Sequence, residues 1–275
     1  MTTHFLIACS NKKSIPPGEG LFWTQETTIQ IWSEAWAAPD GARLPAAEMY
    51  SGDSFAKQVG LITDHSEAHS IWIVSAGGGI ISPSDRIPSY QSTFTSRQGP
   101  TFVEWCDLPH GGLSRLPLED GDNVVMCLPE PYQRAVMLDV SWGIVSQKTL
   151  SIGPGPARQS CSEKLPCHPR FRELLNCGAM KIWTSLLEQY LSTDDPHEHF
   201  GEMVERASIL PVHPMRELID SQEEMDSIIQ SLPGSVTSAG SAVRYIRDEL
   251  HRSASQERIS ESWRRIRIEG VDEKR

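Results

Sequence analysis

Two stretches decide the fold class of this chain. They are His4-Phe-Leu-Ile-Ala-Cys9, broken off by Ser10-Asn-Lys-Lys13, and Ile71-Trp-Ile-Val-Ser75, broken off by Ala76-Gly-Gly-Gly79. Each is a short continuous apolar run closed by a polar or glycine-rich turn, which reads as a buried strand and its exit loop. Between them, residues 27–37 place Ile29, Trp32 and Trp36 at helical spacing. Pro45 to Ile62 reads as a helix interrupted near Gly52, with Ala46, Met49 and Tyr50 before the break and Phe55, Val59 and Ile62 after it. A third strand is expected at Asn123–Leu128 after a loop-rich stretch, 97–122. A helix over Pro131–Leu138 and a strand over Trp142–Ser146 follow. This order favours an α/β layered domain with a mainly parallel sheet, assigned to residues 1–150.

Beyond a Pro/Gly/Cys-rich connector at Gly153–Pro169 the signals turn helical: Phe171–Leu191, Phe200–Ile209, Met215–Leu232, Ala239–Arg252 and Gln256–Arg267. Residues 151–237 read as a helical extension and 238–275 as a C-terminal unit. In that unit Val243, Ile246 and Leu250 share one helix face. Ser255 caps a second helix that aligns Ile259, Trp263 and Ile266. Two amphipathic helices joined by a small-residue turn make a helix-turn-helix-like hairpin.

At 275 residues the chain is expected to form one large domain, or a domain with an appendage. Its net charge of -11 argues against coating nucleic acid through bulk electrostatics. The charge is uneven. Residues 238–275 carry nine Lys/Arg against seven Asp/Glu, whereas residues 1–237 carry 16 against 29. The mildly basic tail reads either as a phosphate contact or as a solvated helix face. The first residues lack a basic n-region and a signal-length apolar run, and no stretch approaches the ~18 apolar residues of a membrane helix. The expectation is a soluble cytoplasmic protein with no membrane partner. Its six cysteines are expected to be reduced thiols.

Ligands of parallel α/β sheets collect at the carboxyl ends of the strands, and both exit turns lie at such ends. Cys9 leads into Ser10, Asn11, Lys12 and Lys13. A thiolate is the reactive form of cysteine and a neighbouring ammonium favours it, a charge that either Lys12 or Lys13 supplies. The alternative is a structural cysteine ending a strand. Ser75-Ala-Gly-Gly-Gly79 lacks the terminal Gly-Lys-Ser/Thr of a phosphate loop. Three glycines still permit positive φ and close approach to a flat ligand, or else simply a tight turn. Asp85 and Tyr90 follow near the same edge. Cys9, Lys13, Ser10 and Asp85 are thus the candidate catalytic residues. Asn11, Lys12, Ser75, Gly77, Gly78, Gly79 and Tyr90 are the candidates for substrate binding.

Three ordered blocks resemble the YaaA-like group of α/β proteins: Leu6-Ile-Ala-Cys-Ser-Asn-Lys-Lys13, Ala46-Ala-Glu-Met-Tyr50 with Phe55, and Trp72-Ile-Val-Ser-Ala-Gly-Gly-Gly-Ile80 through Tyr90. Cys9-Ser10-x-x-Lys13 is also similar to the Cys-Ser-x-x-Lys motif of archaeosine synthases, although Ala8 and Ser14-Ile15 depart from it. The tail Ser-Ala-Gly-Ser-Ala-Val-Arg-Tyr-Ile-Arg resembles DpdC-type proteins of 7-deazaguanine DNA-modification systems. The resemblance implies conversion of the nitrile of 7-cyano-7-deazaguanine in DNA to the amide, beside other DNA-modification proteins. In that reading Cys9 attacks or polarises the nitrile carbon, Lys13 lowers the thiol pKa or protonates nitrogen, and the glycine turn holds the flat base. A non-catalytic DNA-binding stress or defence protein is the alternative. A third reading, glycosyl chemistry on a nucleotide, lacks a carboxylate pair.

Arg258, Arg264, Arg265 and Arg267 are the expected phosphate contacts. Trp263, on the apolar face, reads as core. Cys161, Cys167, His168 and Cys177 offer thiolate and imidazole ligands for a structural zinc, but the Cys-x5-Cys spacing is not the usual one, and no cofactor is expected. His197-Glu-His199 reads as the cap of the following helix, with cation binding as the alternative. His110 and His213 read as loop residues.

Overall fold

The computed structural model describes residues 1–38, 41–65, 69–94, 98–179, 181–211 and 217–269. The strands of its first part are β1 (Thr3–Ala8), β2 (Arg43–Pro45), β3 (His69–Ser75), β4 (Gly79–Ile81), β5 (Arg86–Pro88), β6 (Asn123–Cys127), β7 (Thr149–Ser151) and β8 (Glu163–Lys164). Six of them form one sheet in the order β4-β3-β1-β6-β7-β8. All neighbours are parallel except β4, which turns back antiparallel on β3 through the glycine turn. The fold is therefore α/β with a mainly parallel sheet. β2 and β5 make a separate antiparallel pair.

The apolar runs become central strands because both of their faces are covered. Phe5, Leu6, Ile7, Ile73 and Val74 are almost fully buried, as continuous rather than alternating hydrophobicity requires. Helices α1 (Ile29–Ala37), α2 (Ala46–Met49) and α3 (Asp53–His65) separate β1 from β3. Thr28 caps α1, which buries Trp32 and Trp36. The break near Gly52 falls between α2 and α3. Then come α4 (Glu130–Met137), α5 (Trp142–Val145), α6 (Phe171–Leu174), α7 (Ile182–Leu191) and α8 (Pro196–Ser208). Helix α3 lies against β1, β3 and α7.

Several expectations change. Trp142–Ser146 is not a strand but α5, with β7 three residues further on. Trp142 and Val145 are buried while Ile144 is exposed, so the burial follows a helical i, i+3 rhythm that a four-residue apolar run does not reveal. The helix expected over Phe171–Leu191 is split, with Asn176 at φ 45° between α6 and α7. Asn tolerates this left-handed conformation and commonly ends helices with it. Asp195, not the histidines, caps α8; its side chain accepts from the Glu198 amide.

The chain divides into compact units at Met1–Leu210 and Pro211–Arg275, rather than at residues 150 and 237. β7 straddles residue 150 and pairs with β8 beyond it, so a cut there would sever the sheet. The second unit contains β9 (Glu217–Leu218), α9 (Gln222–Ser231), α10 (Ala239–Asp248), β10 (Arg252–Ser253) and α11 (Gln256–Trp263). Met215, where a helix was expected to begin, and His213 lie outside the described residues, as does residue 97. Ile219, Met225, Ile229, Ile246 and Ile259 form the centre of this unit, with Trp263 buried beside them. The connection from α10 to α11 holds β10, which pairs in parallel with β9. Leu250 falls past the end of α10 and is partly exposed rather than on its buried face. Among the described residues, no helix is long and apolar enough to cross a membrane.

Candidate functional site at the sheet switch point

From β1 the chain goes to β3 on one side and later to β6 on the other. Strand order thus reverses between β1 and β6, and the crevice outside the carboxyl ends at such a point is the usual ligand site of open α/β sheets. Cys9 follows β1 directly, its amide donating to the Val74 carbonyl at 3.0 Å. Tyr132 stands in the first turn of α4, after β6. The Cys9 Sγ and the Tyr132 hydroxyl lie 3.4 Å apart across the crevice. Tyr132 was not among the expected residues. The strand-end logic that picked out Cys9 applies equally to it, since the third strand was expected to end at Leu128.

Behind Cys9 lies a buried hydroxyl network. The Tyr50 and Tyr90 hydroxyls are 2.8 Å apart, and Ser75 Oγ is 2.5 Å from Tyr90 and 3.3 Å from Tyr50. Burial raises the pKa of Tyr50, Tyr90 and Tyr132, and the charge of Cys9 raises them further. All three stay protonated and able to donate.

The loop after Cys9 is clamped onto the segment after α2. Ser51 donates to the Lys12 carbonyl at 3.0 Å, Ser14 to the Met49 carbonyl at 2.9 Å, and Lys13 pairs with Tyr50 in a β-bridge. This separates two lysines that sequence alone leaves equivalent. Lys12 is exposed. The Lys13 ammonium stands 4.3 Å from the centre of the Tyr90 ring and 5.5 Å from that of Tyr50, in cation–π range. Burial lowers its pKa, and the charge of Cys9 opposes the shift. A lysine poised this way gives up its proton more readily than one in water.

The glycine turn does something other than expected. A Cβ on Gly77 would lie 2.5 Å from the Tyr90 ring, and one on Gly78 would lie 2.5 Å from Ile81 and 3.0 Å from Trp36. At Gly79, with φ +88°, it would strike the carbonyl of Gly111. The close approach these glycines allow is filled by the protein's own groups, not left open for a ligand. Ser75 Oγ likewise accepts from the amides of Gly77 and Gly78 at 3.2 and 2.9 Å. Ser75 and Gly77–Gly79 thus form the buried backing that positions Tyr90.

Ser10 Oγ accepts from the Lys12 amide at 3.1 Å and packs closely on Gly52 at the start of α3, so it anchors the loop. Asp85 is engaged elsewhere. It receives two hydrogen bonds from Arg115, at 2.7 and 3.0 Å, and one from the Ser82 amide. Burial pushes its pKa up, but the Arg115 hydrogen bonds, the Ser82 amide and the Arg115 and His110 charges outweigh it, and the net shift is downward. An ion-paired carboxylate of this kind steadies the turn after β4 and is a poor general base.

Beside the cluster an open pocket of about 380 Å³ is lined by Asn11, Lys13, Ile15, Pro16, Tyr90 and Gln91, among others. Its size lies within the ~300–1,000 Å³ of small-ligand clefts. Lys13 and Tyr90 belong both to this pocket and to the Cys9 network.

In the second unit, three of the four expected phosphate contacts serve the fold. Arg258 donates to the carbonyls of Ile219 and Ser221, and Arg267 to those of Ile229 and Leu232 at the end of α9. Arg265 pairs with Asp226. Arg264 is exposed and, with Arg265, Gln222, Glu261 and Ser262, lines an open polar pocket of about 360 Å³. The four candidate zinc ligands, Cys161, Cys167, His168 and Cys177, do not assemble into a metal site among the described residues. Cys161 donates to the Ala157 carbonyl, His168 accepts from the Arg170 amide, and among the described residues no His, Cys, Asp and Glu group of three or more could hold a metal. His197 instead pairs with Glu163 and His199 with Gln189.

Compared with models of protein families, with curated proteins and with solved structures, the chain matches none.

Proposed function

We propose that the chain is a nucleic-acid modification enzyme that hydrates the nitrile of 7-cyano-7-deazaguanine in DNA to the amide. The observation that supports this reading best is the placement of Cys9 opposite Tyr132 at the sheet's switch point, with Lys13 beside them. A nitrile carbon is a weak electrophile, so a thiolate adduct divides one high barrier into two lower ones. The Cys9 thiolate adds to the nitrile carbon while Lys13 passes a proton to the nitrile nitrogen, giving a thioimidate. Water then adds across the C=N bond, its oxygen to the carbon and one of its protons to the nitrogen. As the C–S bond breaks, the hydroxyl proton returns to Lys13 and the thiolate leaves the amide behind. Tyr132 donates to the sulfur when it is charged. Tyr90, Pro16 and the amides of Asn11 and Gln91 form a pocket suited to a flat base with a polar edge.

The test is mass spectrometry of nucleosides from nitrile-containing DNA treated with the purified protein. The amide nucleoside is expected from the wild type and not from Cys9→Ala. Unchanged base, or full activity in Cys9→Ala, sinks the mechanism.

A second reading, a non-catalytic DNA-binding stress or defence protein, draws on exposed Arg264 and the polar pocket beside it. In it the α10–α11 pair acts as a helix-turn-helix-like hairpin. Steeply salt-dependent DNA binding indifferent to Cys9 is its signature.

A further inference from the structure

The segment Leu21–Trp23 alternates as a strand does. Leu21 and Trp23 are buried, whereas Phe22 is 52% exposed. Two hydrogen bonds hold it there: the Trp23 amide donates to the Gln91 carbonyl at 2.9 Å, and the Gln91 amide to the Leu21 carbonyl at 2.8 Å. These make a parallel bridge that sets Phe22 against Gln91. Residues paired in a bridge send their side chains to the same side of the ribbon. Gln91 is itself the exposed residue between buried Tyr90 and Ser92, and it lines the pocket that Lys13 and Tyr90 share.

An aromatic ring is thus held outward beside Gln91, one of the residues lining a pocket that carries an ammonium and two amides. Leaving a phenyl ring in water is unfavourable, and here both sequence neighbours are anchored in the core, so Phe22 has no local route inward. The ring is presented rather than stranded. Every nucleobase has a π-face for such a platform, while its edge would meet Asn11, Gln91 and Lys13. A base within a duplex is stacked on its neighbours and offers no face, so an enzyme reaching it must take it out of the stack.

We infer that Phe22 is the stacking platform for an unpaired nucleobase, and that the chain acts on single-stranded or flipped-out bases in preference to bases within a duplex. This rests on the nucleobase reading of the same pocket and adds the strand state of the substrate and the residue that selects it.

The test uses full-length protein and a fluorescently labelled oligonucleotide bearing one 7-cyano-7-deazaguanine, as a single strand and as a duplex. Phe22→Ala is expected to weaken single-strand binding about ten- to a hundredfold. Phe22→Trp should restore it to within about threefold, and Phe22→Leu, apolar but without a π-face, should not. The single strand should bind tighter than the duplex. Phe22 is exposed, so thermal unfolding should be alike in all variants. Equal binding by wild type and Phe22→Ala, full rescue by leucine, or tighter binding of the duplex overturns the inference. Aromatic-dependent binding without any conversion of the nitrile supports the platform and overturns the proposed chemistry alone. Failure of the wild type to bind either oligonucleotide overturns both.

Discussion

Cys9 and Tyr132 are 123 residues apart in sequence yet lie within hydrogen-bond reach, so single substitutions divide their roles. Cys9→Ser should keep base binding and lose nitrile conversion, because a hydroxyl is a far poorer nucleophile than a thiolate. In the proposed mechanism Tyr132→Phe removes one donor to the charged sulfur and should lower kcat by about ten- to a hundredfold with little change in KM, as steady-state kinetics would show. In the proposed mechanism Lys13 sets a pH limit. Proton donation requires its ammonium, and burial lowers its pKa below 10.5. The alkaline fall in kcat should therefore begin below that value, and a pH–rate profile of Lys13→Arg should carry the fall to higher pH. Asp122, far from this chemistry, affects stability. It accepts from the Glu119 and Thr2 amides and from His4, and these hold its pKa at about 2. A depressed carboxylate contributes its full stability above the ordinary value, 3.8. That contribution disappears as pH falls through about 2. Acid unfolding followed by circular dichroism should therefore be steeper across this window in the wild type than in Asp122→Asn.

The element that matters most is the turn from β3 to β4. Its glycines bring the Tyr90 ring, Ile81, Trp36 and the Gly111 carbonyl close. Gly79→Ala combines a left-handed φ with a backbone collision, and should cost about 2 kcal/mol or more in denaturant unfolding. Gly77→Ala pushes directly on Tyr90. It should disturb catalysis as well as stability, since Tyr90 supports Lys13 from below its ammonium. The strand before this turn, β3, was legible because an apolar run between turn residues has few other uses. The turn's role was not. Glycine composition says that something comes close, without saying whether it is a ligand or the protein's own ring. For the same reason α5 passed for a strand, since four apolar residues satisfy either period until burial shows which neighbours they share.

For the whole molecule, the acidic balance of -11 and the structural use of Arg258, Arg265 and Arg267 leave little positive charge for DNA. Binding to unmodified DNA should be weak and fall with salt at a shallow slope. Arg264→Ala should reduce that slope by about one if the residue meets a phosphate, as titrations at several salt concentrations would measure. Truncation of Arg258 or Arg267 should instead lower stability, because backbone carbonyls of α9 and its flanks lose their donors.

Local pattern by itself determined the parallel α/β class, the two central strands, the helix carrying Trp32 and Trp36, and Cys9 as a strand-end residue. Those properties depend on residues within a dozen positions of one another, where period and turn chemistry act. Only the tertiary structure decided the rest. It joined Cys9 to Tyr132 across the reversal of strand order, chose Lys13 over Lys12 and filled the glycine turn with Tyr90. It also extended the sheet past residue 150 to β8 and brought Phe22 beside Gln91. Each of these depends on strands and loops far apart in the chain meeting at one edge, and such a meeting is set by packing of the whole sheet rather than by any local run of residues.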